Sequence, residues 1–188
     1  PDRVAELVLV AEQGLGDQLQ FMRYGHLAHA LAERVTLCLP DKLVELARHS
    51  RVADEVLGPT ALIQAPGQRH WLPLMSLLSR LNVTNERTWT SSPFLSVPSD
   101  RIDHWRQKLR HSLPVGQKLV VINWQGNPNT ETSNLRGRSM SLETLAPLAH
   151  CPGVTLLSMQ RGHGSEQLET CSFQSHLHPL QSEINEIW

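Results

Sequence analysis

Short apolar runs alternate with amphipathic segments along most of the chain, and turn residues separate them. The run Leu7-Val8-Leu9-Val10 is apolar at every position, which is typical of a strand buried on both faces of a parallel sheet. The pattern predicts strands at residues 7–11, 35–39, 54–57, 61–64, 71–75, 119–124 and 154–158, an extended segment at 93–97, and helices at 17–34, 41–49, 99–111, 141–150 and 166–171. Strands that alternate with helices predict βαβ units and parallel sheets, so we expect an α/β fold.

The break Leu113-Pro114-Val115-Gly116 interrupts this alternation, which then restarts near residue 119. We therefore expect two α/β domains, at residues 1–112 and 113–188, and the second contains too few strands to be complete. The chain begins with Pro1 and ends at Trp188 within what resembles the start of a helix. We interpret it as a fragment of a longer protein.

Composition excludes several classes of function. The 188 residues carry a formal net charge of −1, so no excess of Lys and Arg indicates a nucleic-acid partner. No apolar run reaches the roughly 20 residues that a membrane helix needs. The three scattered cysteines fit reduced thiols, with Cys38 buried in its strand, and we expect a cytoplasmic protein.

The first candidate site is Gln13-Gly14-Leu15-Gly16-Asp17, at the turn from the first strand into a helix. Ligands of parallel sheets bind at the carboxyl ends of the strands, and glycines allow positive φ angles and close approach. The spacing matches neither a dinucleotide fingerprint nor a P-loop. Two interpretations of Asp17 stay open: a helix N-cap with Gln20 in a capping box, or a general base.

Two more strand ends lead into polar, glycine-containing loops. The segment NWQGNPNTETSNLRGRSMSLETLAPL, residues 123–148, contains Arg136 and Arg138 beside serines. Two interpretations stay open: the arginines and serines bind phosphate oxygens, or the segment is a solvated loop without a ligand. The segment LLSMQRGHGSEQL, residues 156–168, places glycines on both sides of His163. Three such junctions predict one ligand cleft.

Histidine and tryptophan patterns add little. His26 and His29 share a helix face, but no further ligands at metal spacing accompany them, so we expect no zinc site. We interpret Trp105 and Trp124 as packing residues in preference to platforms for sugar rings.

Together, EQGLGDQLQFMRY, NWQGNP…GRSMSLETLAPL and LLSMQRGHGSEQLE resemble the glycosyltransferase module found behind tetratricopeptide repeats in bacterial proteins. That module is related to the ADP-heptose:lipopolysaccharide heptosyltransferases of glycosyltransferase family 9. The three motifs occur in the family's order. The resemblance implies a GT-B fold of two Rossmann-like domains with parallel sheets, the second truncated here. It also implies metal-independent, inverting transfer of a sugar from a nucleotide diphosphate sugar.

The resemblance assigns roles to residues. Asp17 matches the aspartate that deprotonates the acceptor hydroxyl, in a loop with Gln13, Gly14 and Gly16. The residues that match the positions binding the donor phosphates are Asn127, Arg138, Ser139 and Gln160. The resemblance implies that the acceptor is a glycan, a lipopolysaccharide or other lipid-linked molecule, or a protein. It implies that the reaction needs no cofactor or metal. It also leads us to expect tetratricopeptide repeats in the full-length protein.

The chain departs from the family pattern at two points. Thr130 stands where relatives often carry histidine after Gly-Asn-Pro. The family's later Asp-Thr/Ser and His motif, which binds nucleotide and phosphate, is not found before Trp188. We therefore expect these 188 residues alone to be inactive.

Two alternatives remain. The chain could be a catalytically inactive, glycosyltransferase-like scaffold of a repeat protein, although Asp17 and Arg138 are retained. It could also be another Rossmann-like enzyme such as a sugar-nucleotide epimerase, against which the missing G-x-G-x-x-G and Tyr-x-x-x-Lys motifs argue.

Overall fold

The computed structural model describes residues 3–83, 92–113, 115–128, 139–178 and 183. Contacts between Cα atoms divide the chain into two compact units, Pro1–His104 and Trp105–Trp188. Predictions that fall on other residues, such as Thr130, Arg136 and Arg138, lie outside the described part of the chain.

The first unit is a parallel sheet with helical connections. Its elements are β1 (Val4–Val10), α1 (Leu15–Phe21), a 3₁₀ helix (Met22–Ala30), β2 (Ala32–Cys38), α2 (Asp41–His49), β3 (Glu55–Leu57), α3 (Pro59–Gln64), β4 (His70–Pro73), a 3₁₀ turn (Leu74–Ser76) and α4 (Leu77–Arg80). The strand order is β3-β2-β1-β4, and every pairing is parallel. The α/β class and the parallel sheet expected from the sequence are confirmed.

The main hydrophobic cluster lies on one face of this sheet, and Val8 and Thr36 are buried on the other face. Leu9, Val35 and Leu37 are fully buried, and Met22 and Ala28 of the 3₁₀ helix pack against them. These side chains come from apolar strands in which neighbouring positions are buried on opposite faces, as a parallel sheet covered on both sides requires. The burial predicted for Cys38 is also confirmed, and that burial, with Asp41 nearby, raises the pKa of the thiol.

Two element predictions in this unit are wrong. Residues 61–64 form part of α3 because Gly58 caps a helix that Pro59 begins, and a short apolar run does not distinguish strand from helix. The helix predicted over 17–34 ends as an α-helix at Phe21, continues as a 3₁₀ helix and gives way to β2 at Ala32.

The 3₁₀ segment has a close contact that explains one glycine. A Cβ atom on Gly25 would lie 2.4 Å from the backbone oxygen of Val52, so only glycine fits there. The 3₁₀ segment therefore packs directly on the backbone of Val52, which follows α2. After this segment, residues 32–34 pair with β1 in the sheet.

The second unit repeats the arrangement on a smaller scale. Its elements are the second half of α5 (Ser99–Ser112), β5 (Lys118–Ile122), a 3₁₀ helix (Leu142–Leu145), α6 (Ala146–Ala149), β6 (Val154–Ser158) and 3₁₀ turns at Ser165–Glu169 and Gln174–His176. β5 and β6 pair in parallel over their whole length, from Lys118 opposite Val154 to Ile122 opposite Ser158.

Large apolar side chains fill the core of this unit. Trp124, Leu156 and Phe173 are almost completely buried in one cluster, so the packing role expected for Trp124 is confirmed. Trp105 is half-buried against Leu157, which also fits a packing role. The helix predicted over 141–150 divides into a 3₁₀ helix and α6, because Pro147 lacks the N–H that a continuous α-helix would use.

Candidate functional site

The turn after β1 places the first group of predicted residues together at the carboxyl end of a central strand. Gly14 is the N-cap of α1, which begins at Leu15. Asp17 is therefore the third residue of the helix, and its interpretation as an N-cap with Gln20 at the third position is wrong. The expected positive φ angle is not found at Gly14, whose φ is −77°, but at Gln13, whose φ is +64°.

Asp17 is a half-buried carboxylate with one restraint. The backbone N–H of Gly14 donates to Oδ2 at 3.1 Å, which satisfies a helix-terminal donor. Among the described residues, no hydrogen bond reaches Oδ1. The carboxylate is thus oriented by one oxygen and able to accept a proton at the other.

The buried side chain of Gln18 restrains the backbone of this turn. Gln18 is 5% exposed, and its side-chain Nε2 donates to the backbone oxygen of Gln13 at 3.1 Å. A residue other than glycine in the left-handed region costs about 1–2 kcal/mol. Strain of this kind is typical of functional turns, where the surrounding structure keeps a residue in an unfavourable conformation.

The two glycines of this turn differ in their surroundings. A Cβ atom on Gly14 would lie 3.3 Å from Oδ2 of Asp17, close enough to shift the carboxylate. A Cβ atom on Gly16 would meet no atom within 4 Å. Gly14 therefore belongs to the environment of Asp17, whereas Gly16 has no steric requirement among the described residues.

In the second unit, Gln160 connects the loops that follow both strands. It stands two residues after β6 and is 2% exposed. Its Oε1 accepts hydrogen bonds from the backbone N–H groups of Trp124 at 3.1 Å and Gln125 at 3.0 Å. Its Nε2 donates to the backbone oxygens of Gln125 at 2.9 Å and His163 at 2.6 Å.

A second amide contact extends this connection to the helical segment that follows. Nε2 of Gln167 donates to Oε1 of Gln125 at 3.0 Å, and Oε1 of Gln167 accepts from the backbone N–H of Leu142 at 2.8 Å. Gly164 has a φ of +87°, and a Cβ atom there would lie 2.7 Å from Oε1 of Gln125. The lack of a side chain at Gly164 therefore makes room for Gln125.

The predicted phosphate-binding residues lie around this network. The backbone N–H of Gly126 donates to Oγ of Ser139 at 3.0 Å, so Ser139 stands beside the residue that precedes Asn127. Asn127, Arg161 and Gln160 line a cavity of about 320 Å³ beyond the ends of β5 and β6. Asn127, Ser139 and Gln160 thus gather in one region, and Arg138 lies outside the described residues.

Sequence reasoning missed Gln125 and Gln167, and it noted Gly164 beside His163 without predicting its contact with Gln125. Each lies in a loop that the sequence had marked as a candidate, but no spacing rule predicts an amide–amide contact between residues 42 positions apart. A signal for Gln125 is that each of the three candidate loops, after β1, β5 and β6, contains a glutamine close to the strand end, at Gln13, Gln125 and Gln160.

Another cavity, of about 410 Å³, lies in the first unit near Val4 and Leu31. Val4 begins β1, and Leu31 immediately precedes β2. The cavity therefore lies toward the amino ends of these strands, away from the end at which parallel sheets bind their ligands.

Metal ligation and membrane insertion are two further properties of the described residues. Nowhere in residues 3–83, 92–113, 115–128, 139–178 and 183 do three or more His, Cys, Asp or Glu side chains form a group that could hold a metal ion. In the same part of the chain, every helix is too short or too polar to cross a bilayer.

Comparison with known proteins finds a distant relative. The chain is 24% identical over 189 residues to Protein FlbA of Caulobacter vibrioides, in a match that covers 88% of this chain and 30% of that protein. The chain thus spans less than a third of the length of this curated relative. No family model matches the chain, and no solved structure matches it.

Proposed function

We propose that the chain is part of a glycosyltransferase of the GT-B type. In this proposal the first unit binds the acceptor, and the second unit contributes part of the site for a nucleotide diphosphate sugar. The acceptor is a glycan, a lipid-linked molecule such as lipopolysaccharide, or a protein, and the enzyme acts in the cytoplasm. The motifs that resemble the heptosyltransferase-related module support this assignment.

The observation that carries the proposal is the geometry of Asp17. Its half-buried carboxylate lies at the carboxyl end of a parallel strand, is oriented by the N–H of Gly14, and keeps Oδ1 available. A general base needs such an arrangement, because it must be held in place and still accept a proton from a substrate hydroxyl. Gln13 and Gly14 form the loop beside it.

The proposed reaction is a single displacement. Oδ1 of Asp17 takes the proton of the acceptor hydroxyl while that oxygen attacks the anomeric carbon of the donor sugar. The bond between this carbon and the diphosphate oxygen breaks, and the diphosphate leaves with increased negative charge. Ser139, Asn127 and Arg138 bind the phosphate oxygens and stabilise that charge by hydrogen bonds and electrostatic attraction.

The test uses the protein in its full natural length. It is incubated with ADP-, GDP-, UDP- and dTDP-sugars and candidate acceptors, and release of nucleotide diphosphate is measured for the wild type and Asp17→Asn. Release from one donor that is lost in Asp17→Asn, with donor binding retained, supports the proposal. Equal release by both proteins would remove Asp17 from the chemistry.

The non-catalytic alternative predicts a different result. An inactive scaffold would bind a nucleotide or glycan but release no diphosphate with any donor and acceptor. Activity is therefore judged on the protein in its full natural length, with both donor and acceptor present.

A further inference from the structure

Gln160 is a buried polar residue whose hydrogen-bonding capacity is used within the protein. A side-chain amide has two donor hydrogens and one oxygen with two lone pairs. Both hydrogens and both lone pairs have partners here, through the four bonds to Trp124, Gln125 and His163. Gln160 cannot turn towards a bound phosphate without losing these bonds, so any effect on a ligand passes through the loops that it holds.

These contacts restrain a continuous piece of backbone. The N–H groups of Trp124 and Gln125 donate to Gln160, and the N–H of Gly126 donates to Ser139. Three consecutive amides are therefore bound by side chains from distant segments, immediately before Asn127. A loop restrained in this way presents Asn127 at the cavity in a defined position.

The same side chain also restrains the other wall of the cavity. Its Nε2 donates to the backbone oxygen of His163, in the loop that carries Gly162 and Gly164. One amide group thus connects the loop after β5 with the loop after β6, and both loops line the cavity. The contact between Gln125 and Gln167 adds a second connection.

We propose that Gln160 is the positioning residue of the donor-side cavity. It holds the two strand-end loops in the arrangement that binds the diphosphate of a nucleotide sugar, without touching the ligand itself. This inference rests on the function proposed above. It gives Gln160 a different role from the direct phosphate contact that the sequence resemblance implies, because the structure uses the whole amide for the loops.

The decisive variant is Gln160→Glu, which keeps the shape of the side chain and an oxygen at Oε1. It replaces the donating NH₂ group with an oxygen that faces the backbone oxygens of Gln125 and His163. Gln174→Glu is the matched control, since Gln174 is exposed and lies outside these loops. Gln160→Asn, which is too short to reach both loops, and Gln167→Met serve as further variants if Gln160→Glu does not fold.

Two measurements on the full-length protein test the proposal. Titration calorimetry gives the affinity for ADP, GDP, UDP and dTDP, and amide hydrogen exchange follows the backbone of residues 124–126. We expect Gln160→Glu to weaken binding of the preferred nucleotide about tenfold or more and to speed exchange at residues 124–126. Exchange within β5 and β6 and the affinity of Gln174→Glu should stay at the wild-type level.

A pH series provides a signature that a general loss of stability would not produce. Protonation of the introduced glutamate restores one donor to the loops, so the affinity of Gln160→Glu relative to the wild type should recover as the pH falls. Wild-type affinity in Gln160→Glu would overturn the inference. Equally accelerated exchange throughout β5 and β6 would also overturn it, because the residue would then support only the fold.

The same binding measurements distinguish failure of the proposed function from failure of the role of Gln160. If the wild type binds none of the four nucleotides, the function proposed for the cavity is wrong, and the positioning role for a donor is overturned with it. If the wild type binds a nucleotide and Gln160→Glu binds it equally well, only the role of Gln160 is wrong.

Discussion

The carboxylate of Asp17 accepts a hydrogen bond from the backbone N–H of Gly14, with 3.1 Å between Oδ2 and the nitrogen. The same carboxylate therefore stabilises the start of α1 and carries the proton-accepting oxygen of the proposed mechanism. The two roles use different oxygens, and substitutions can separate them.

Asp17→Asn is expected to preserve the fold and abolish catalysis. The asparagine oxygen can still accept from Gly14, so the free energy of unfolding should change by less than about 1 kcal/mol. The rate of sugar transfer should fall at least about 100-fold because the general base is lost. Asp100→Asn, which removes an exposed carboxylate from the first turn of α5, is the control and should keep full activity. Full activity in Asp17→Asn would contradict the assignment.

Gln13→Gly is expected to stabilise the protein or leave it unchanged while lowering activity. Glycine adopts the left-handed backbone of this position without steric cost, which should offset its greater freedom in the unfolded chain. If the Gln13 side chain binds the acceptor, the KM for the acceptor should rise while the KM for the donor stays constant. Thermal unfolding and steady-state kinetics measure the two effects. A clear loss of stability would show that the left-handed backbone carries little strain.

Gly164→Ala is expected to destabilise the second unit more than Gly162→Ala does. Both glycines have positive φ angles, but only at Gly164 would the new Cβ atom lie within 3 Å of the Gln125 side chain. Backbone strain of about 1 kcal/mol should appear in both variants, and the steric conflict should add about 1–3 kcal/mol in Gly164→Ala. Urea unfolding followed by tryptophan fluorescence measures the difference. Equal effects would mean that Gln125 moves aside freely.

Glu6 is expected to make stability depend on pH. Burial raises the pKa of this carboxyl, but hydrogen bonds from Thr36 and Arg69 and attraction to Arg69 and Arg34 outweigh that effect and lower the pKa below its ordinary value of 4.5. A carboxyl whose pKa is lower in the folded state stabilises the protein above its unfolded pKa. This contribution is lost as the pH falls through the folded value.

Glu6→Gln should therefore reduce the free energy of unfolding by about 1 kcal/mol near neutral pH, and by progressively less below the ordinary carboxyl pKa. Glu45→Gln provides the comparison, because the pair between Glu45 and Arg101 is exposed and contributes little. Denaturant unfolding across an acidic pH series measures both variants. A constant difference between wild type and Glu6→Gln at every pH would contradict the expected titration.

The prediction of strands and helices succeeded where the hydrophobic pattern fitted only one type of element. The predicted strand at 154–158 and the predicted helix at 41–49 coincide with β6 and α2. Prediction failed at 61–64, where three apolar residues fit either a strand or a helix and the flanking Gly58 and Pro59 decided for a helix. It also failed at 32–34, where residues that local propensity assigned to a helix form the start of β2.

The sequence predicted where the candidate site lies, but it did not predict the contacts of the individual residues. Parallel strands place their carboxyl ends at one edge of a sheet, so glycine-containing turns after the predicted strands mark ligand regions from the sequence alone. The role of a residue within such a turn depends on where the helix begins. Because α1 begins at Leu15, Asp17 is an internal restraint on Gly14 and not the N-cap that its residue type favours.

The sequence by itself determined the α/β class, the main strands and the loops in which chemistry is expected, because periodicity and turn residues act locally. Only the tertiary structure decided that Gln13 adopts the strained backbone, that Gly164 makes room for Gln125, and that Gln160 connects two loops. These features depend on atoms from segments distant in the chain that meet within hydrogen-bonding or van der Waals distance. Such contacts follow from packing, because a buried amide must find its partners wherever the fold brings them.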